Sequence, residues 1–181
     1  DKFTVLDVAG GKGDLSWLLC NVDNIRSTVV DPRTKKHHHL LRSIEYLKEH
    51  PEEARERAIP NIPTHQPLAG LLYQIQEPYV TPLHLQIWVN HSLVEALRSY
   101  LTTGEVNGWI TYWETIAQAV TPELSRNCES NLEVNKTVVD AEEALSYFLQ
   151  TNLIVGFHPD QATEACIDLA LMLNVDYCIV P

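Results

Sequence analysis

Apolar positions along this chain of 181 residues follow two alternating rhythms. Short unbroken runs rich in β-branched residues occur at Phe3–Val8, Thr28–Asp31, Val134–Val139, Asn152–Phe157 and Asp176–Val180. Their length and lack of polar alternation predict strands buried on both faces, as in a parallel sheet. Between them, apolar residues recur at three- and four-residue spacing, which predicts amphipathic helices. The first opens at Asp14 with Leu15, Leu18 and Leu19 on one face, and the second covers Lys35–His50 with a stripe of Leu40, Leu41, Ile44 and Leu47. Pro32 suits the approach to that second helix, where a missing N–H costs nothing, and Pro51 ends or kinks it. Further helices are predicted at Ser92–Leu101, Trp109–Ala119, Ala141–Gln150 and Thr163–Asn174, the last with Ala165, Cys166, Leu169, Ala170 and Leu173 inward. Strand and helix in alternation imply an α/β fold, a Rossmann-like doubly wound sheet.

One stretch breaks the rhythm. Residues 51–133 carry Pro60, Pro63, Pro67, Pro78 and Pro82, which interrupt any long element. Placed between the second and third expected strands, this stretch reads as a largely helical insertion. Trp88, Trp109 and Trp113 give it a packed face of its own, suited to substrate recognition, to a protein partner or simply to packing. The whole of residues 1–181 reads as a single domain.

Composition narrows the function classes. The net charge of −11 is lopsided: residues 1–50 carry eight Lys/Arg against seven Asp/Glu, and residues 51–181 five against seventeen. Such a surface is a poor electrostatic partner for a phosphate backbone, though a basic companion domain would change that. No apolar run approaches the roughly 20 residues of a membrane span, and no secretory leader is recognisable. Cys20, Cys128, Cys166 and Cys178 lack C-x-x-C spacing and fall mostly in apolar elements, as thiols in a reducing compartment would. The expectation is an intracellular protein, cytoplasmic or nuclear. His37, His38 and His39 read as a polar helix face, because adjacent helical residues do not converge on a metal, and no metal site is expected.

The chemistry concentrates at Val5-Leu6-Asp7-Val8-Ala9-Gly10-Gly11-Lys12-Gly13-Asp14. A dinucleotide fingerprint, G-x-G-x-x-G, fails at its third glycine, where Ser16 stands. A P-loop fails too, since no glycine lies five residues before Gly11. The pattern that fits is D-x-[GA]-x-G-x-G, through Asp7, Ala9, Gly11 and Gly13, with Asp31 ending the second strand. This resembles motif I of the class I S-adenosylmethionine (SAM) dependent methyltransferases, and within them a divergent eukaryotic group with a similar VG-x-H strand end. The resemblance covers about residues 1–31 and 138–181. It implies a SAM site formed by Asp7, Ala9, Gly10, Gly11, Gly13, Asp31 and Pro32, with the Asp31 carboxylate on the ribose hydroxyls. It also implies that Asp140 meets the adenine amino group and that Ala141 packs near the ring. Capping of the next helix by Asp140, with Glu143 three residues on, is the local alternative. The family's core has seven strands, so five predicted here imply a sheet incomplete at the C-terminus and a chain that is part of a longer polypeptide.

The second candidate element is Gly156-Phe157-His158-Pro159-Asp160-Gln161-Ala162-Thr163-Glu164, beyond the carboxyl end of the fourth strand, where ligands of open α/β sheets bind. The family places there its Asn/Asp-Pro-Pro-Tyr loop facing the transferred methyl group, of which only the proline and a polar neighbour correspond. His158 is the candidate base, Asp160 the residue that orients it or an acceptor N–H, and Gln161 a hydrogen-bonding partner for an amide or base edge. The alternative is local: Asp160 or Thr163 caps the following helix. Three functions stay open: a SAM-dependent methyltransferase acting on RNA or, close behind, protein; a non-catalytic scaffold on the same fold; and a dehydrogenase, against which Ser16 counts.

Overall fold

The computed structural model describes residues 2–33, 37–56, 75, 77–119 and 139–180. Five strands form one sheet, every pairing parallel: β1 (Thr4–Val8), β2 (Arg26–Val30), β3 (Leu83–Leu85), β4 (Leu153–Phe157) and β5 (Asp176–Val180), in the order β3-β2-β1-β4-β5. The helices are α1 (Asp14–Asn21), α2 (His38–Glu49), α3 (Pro51–Glu56), α4 (His91–Thr103), α5 (Val106–Ala119), α6 (Ala141–Leu149) and α7 (Thr163–Leu173). The α/β class and the Rossmann-like order therefore stand. The chain winds outward from β1 through β2 to β3, then returns to β4 on the other side of β1. That reversal opens a crevice at the carboxyl ends of β1 and β4.

Burial explains the unbroken apolar runs. All five residues of β1 are buried, and so are four of the five in β2. Thr4 pins β1 to the chain ahead of β4: its N–H donates to Asn152 Oδ1 at 2.9 Å, and Asn152 N–H returns to the Thr4 carbonyl at 3.0 Å. The stripe of α2 packs as expected, with Ile44 buried beside Leu40, Leu41 and Leu47 in a small cluster around Trp17.

The third strand departs from expectation. Residues 134–138 lie outside the described residues, and Val139 belongs to no strand. The strand beside β2 is instead Leu83–Leu85, inside the stretch read as an insertion. Nor do the described residues of that stretch form a core of their own. Leu93, Val94 and Leu97 of α4 and Trp109 and Trp113 of α5 are buried in the main core with Leu6, Val30 and Ile154. The two indoles also find acceptors, Trp109 Nε1 on the Ala141 carbonyl at 2.5 Å and Trp113 Nε1 on the Val139 carbonyl at 3.0 Å. These bonds let large amphipathic rings be buried without an orphaned N–H. The stretch expected as an insertion supplies β3, α4 and α5 to the fold itself.

Caps set the entry to two helices. Asn90 Oδ1 accepts from Leu93 N–H at 3.0 Å ahead of α4, and Gly104, at φ 73°, closes its far end. Asp140 Oδ1 accepts from Glu143 N–H at 2.7 Å ahead of α6. The reciprocal arm of a capping box is turned elsewhere, since Glu143 Oε1 accepts from the Tyr147 hydroxyl at 2.6 Å.

Candidate functional site

The glycine turn between β1 and α1 is built on Asp7. Its carboxylate is 1% exposed and accepts from Ser16 Oγ at 2.8 Å, while Ser16 Oγ also meets Ser27 Oγ at 2.9 Å. Burial pushes the Asp7 carboxyl up to about 6, and the hydrogen bonds from the Ser16 side chain and backbone offset part of that rise. The turn passes so close over this carboxylate that a Cβ on Gly10 would lie 2.6 Å from Asp7 Oδ2. Ala9 at φ 53°, Gly11 at φ 59° and Gly13 at φ 77° complete the reversal, and Gly13 leads directly into α1. Ser16, the residue that breaks the dinucleotide fingerprint, is thus the anchor of the acid beneath the turn.

Asp31 follows β2 and is also 1% exposed. Four donors converge on it. Oδ1 accepts from Arg33 N–H at 2.8 Å and Arg33 Nε at 3.0 Å; Oδ2 accepts from Gly11 N–H at 2.9 Å and from an Arg33 terminal nitrogen at 2.8 Å. Burial pushes this carboxyl up, but the bonds from Arg33 and Gly11 outweigh it and hold the group below its usual value. The contact is the two-pronged form that guanidinium planarity favours. The Arg33 side chain is 65% exposed even so. Its own pKa is raised, first by its hydrogen bond and charge contact with Asp31 and to a lesser degree by Asp160.

The loop after β4 faces this pair. Gly156 lets Pro159 tuck against the strand, where a Cβ would meet Ile179 Cδ1 at 3.1 Å and Pro159 Cγ at 3.4 Å. His158 N–H donates to the Val180 carbonyl at 2.7 Å with its own backbone at φ 53°. Asp160, at φ 44°, opens a 3-10 turn, Asp160–Ala162, that runs into α7. Neither expected cap forms. Ala162 precedes α7 without a side-chain cap, and the Thr163 hydroxyl donates to the Asp160 carbonyl at 3.0 Å. The Asp160 carboxylate is left facing the crevice.

The crevice has two lobes that share Ala9, Arg33, His158 and Asp160 as walls. One, of about 460 Å³, lies over the glycine turn and adds Asp7, Lys12 and Phe157. The other, of about 500 Å³, lies over β2 and adds Asp31, Pro32, Trp88, Asn90 and Gln161. The structure thus brings together Asp7, Ala9, Gly10, Gly11, Asp31, Pro32, His158, Asp160 and Gln161. Gly13 shapes the turn from outside both lobes. Asp140 and Ala141 line neither: Asp140 caps α6, and the Ala141 carbonyl holds Trp109. The rim of the β2-side lobe is formed instead by the segment after β3, where Trp88 is 60% exposed. Of the five non-glycine residues with positive φ among those described, Ala9, His158 and Asp160 are three, and all three form the wall common to both lobes. Strained backbone persists where the surroundings over-determine it, and it clusters at functional sites.

Arg33 goes unnamed among the residues expected here, and Trp88, expected on a packed face with Trp109 and Trp113, is exposed instead. Arg33 is legible as the basic residue two places after Asp31, and Trp88 as the large apolar residue out of phase with the alternation Leu83, Leu85, Ile87, Val89. Cys166 is buried, with its thiol pushed up to about 12 by that burial, and plays no part here. Among the described residues no three His, Cys, Asp or Glu side chains are grouped to hold a metal ion, and no helix is long and apolar enough to cross a membrane. Comparison with protein-family models, with curated proteins and with solved structures finds no match.

Proposed function

We propose that the chain is a SAM-dependent methyltransferase whose cofactor lies along the two-lobed crevice. The observation that carries this reading is the convergence of the glycine turn, the Asp31 carboxylate and the His158–Gln161 loop on one crevice at the reversal of the sheet. The donor set fits the cofactor's chemistry. A sulfonium nucleoside carries an ammonium, a ribose diol and no phosphate, and Asp7, Asp14, Asp31 and Asp160 stand around the lobes against only Lys12 and Arg33. SAM, when bound, supplies a methyl group on a positively charged sulfur.

The residues divide the remaining work. Asp31 accepts from the ribose hydroxyls. Trp88 offers an exposed flat face for the adenine ring, and Asn90, whose Oδ1 is committed to Leu93, keeps its amide N–H groups for a ring acceptor. His158 takes the proton that an acceptor nucleophile releases, and Asp160 orients the imidazole or the acceptor. Placing these last two on strained backbone beside the sulfonium end fixes their direction without a long side-chain search. The acceptor, RNA or protein, enters over Gln161.

Calorimetric titration with S-adenosylhomocysteine, with NAD as control ligand and Asp31→Ala and Asp31→Asn in parallel, tests the reading. Micromolar binding that both variants lose while still melting cooperatively is the expected result. Tighter binding of NAD, or no binding by a folded wild-type chain, would overturn it and favour the scaffold.

A further inference from the structure

The Asp31 carboxylate has room for about four hydrogen bonds, and four donors already fill it. A ribose diol needs two of those places. The backbone N–H groups of Gly11 and Arg33 are fixed by the turn, so the two that can be vacated are the side-chain bonds of Arg33. That side chain is 65% exposed, and nothing encloses it where it stands. We propose that Arg33 is a specificity-determining competitor: its guanidinium occupies the nucleoside's place on Asp31 and yields it to a ligand that brings an anion of its own.

The argument rests on the nucleoside reading above and deepens it. Once displaced, the guanidinium stays within reach of the glycine turn, since it lies 3.5 Å from where a Gly11 Cβ would be. It already forms a wall of both lobes, between Asp31 and Asp160. A ligand with both a diol and an α-carboxylate exchanges one ion pair for another: the diol takes Asp31, and the carboxylate takes Arg33. A neutral nucleoside removes Arg33 from Asp31 and returns nothing. The crevice would therefore refuse free adenosine while accepting an amino-acid-bearing adenosine, although both carry the same ring and ribose.

Binding of S-adenosylhomocysteine, adenosine and 2′,3′-dideoxyadenosine to wild type, Arg33→Gln and Arg33→Lys tests this. For Arg33→Gln, adenosine should bind at least about threefold tighter and S-adenosylhomocysteine at least about threefold weaker, the scale of one exposed ion pair in each direction. Dideoxyadenosine, which makes no claim on Asp31, should not gain. Arg33→Lys should improve adenosine while keeping most of the affinity for S-adenosylhomocysteine, because it retains the charge and loses the two-pronged contact. An unchanged affinity ratio in Arg33→Gln, or an equal gain by dideoxyadenosine, would overturn the proposal. If wild type binds S-adenosylhomocysteine through Asp31 and the ratio still does not move, the competitor falls and the nucleoside site stands. If neither ligand binds wild type or variant, both fall.

Discussion

The two sides of the crevice are built differently. On the side of β1 and β2 the two buried carboxylates are committed: Asp7 to Ser16, and Asp31 to Gly11 and Arg33. On the β4 side the candidate side chains are exposed, the loop is held through its backbone, and the two candidate residues flanking Pro159 have positive φ. Positive φ occurs on both sides, at Ala9, Gly11 and Gly13 as at His158 and Asp160, but only the first side also locks its acids with side-chain hydrogen bonds. A binding surface gains from the first arrangement, because its shape survives without ligand. A reacting group gains from the second, because its side chain stays unencumbered while its direction is fixed.

Substitutions on each side should therefore fail differently. The largest effect belongs to Gly10→Ala. Its Cβ would enter the Asp7 carboxylate, and a loss of about 3 kcal/mol in urea denaturation is expected, the upper end for an overpacked site, together with loss of S-adenosylhomocysteine binding. A stable variant that still binds would show that the turn tolerates displacement.

Next comes Asp7→Asn, whose effect depends on pH. The folded-state pKa of Asp7, about 6, lies above its unfolded value, so the folded chain holds that proton more tightly. The acid's contribution is most favourable below the unfolded pKa and is lost as pH rises through about 6. At pH 8 the wild type thus carries a cost of about 3 kcal/mol, which the amide removes. The stabilisation by Asp7→Asn should be small at pH 4 and reach its full size at pH 8 in denaturant titrations. A gain independent of pH would mean that repacking, and not charge, is responsible.

Trp88→Ala should leave the fold intact, since the ring is exposed, and weaken S-adenosylhomocysteine about tenfold by calorimetry, the scale of one stacked base. The smallest effect sharpens the contrast most. His158→Gly should stabilise the chain by about 0.5–1 kcal/mol, because glycine accepts φ 53° without the side-chain clash. It should leave binding of S-adenosylhomocysteine unchanged. Destabilisation would show that the imidazole holds the loop together.

The same contrast explains what could be read in advance. β1, β2 and β4 were legible because runs such as Val5–Val8 and Ile154–Val155 reflect burial on both faces, whereas β5 was read from the same apolar pattern although its first three residues are exposed. The glycine turn and Asp31 were legible because close approach and positive φ restrict residue type. β3 was not, since three residues at a sheet edge give only Leu83 and Leu85 in alternation, amid prolines that argued against any element. The run ending in Val138 and Val139 looked more strand-like, and Val139 is buried as the acceptor for Trp113 instead. The places of Arg33 and Trp88 in the crevice escaped for another reason. The bond of Arg33 to Asp31 is local, but no local pattern shows that Arg33 and Trp88 line a crevice with His158 and Asp160, 70 or more residues away.

The bond between Thr4 and Asn152 spans 148 residues, and it ties the middle strand to its second neighbour. A ribosome adding about 5–20 residues each second needs roughly ten seconds or more to travel that far. Throughout that interval β1 can pair with β2 but leaves its opposite edge open, and the wall bearing His158 has not yet been made. Such long-range parallel pairing is slow to nucleate and exposed to misassociation while it waits. The crevice therefore cannot close until the chain has been made as far as the loop after β4, and until then β1 keeps one edge unpaired.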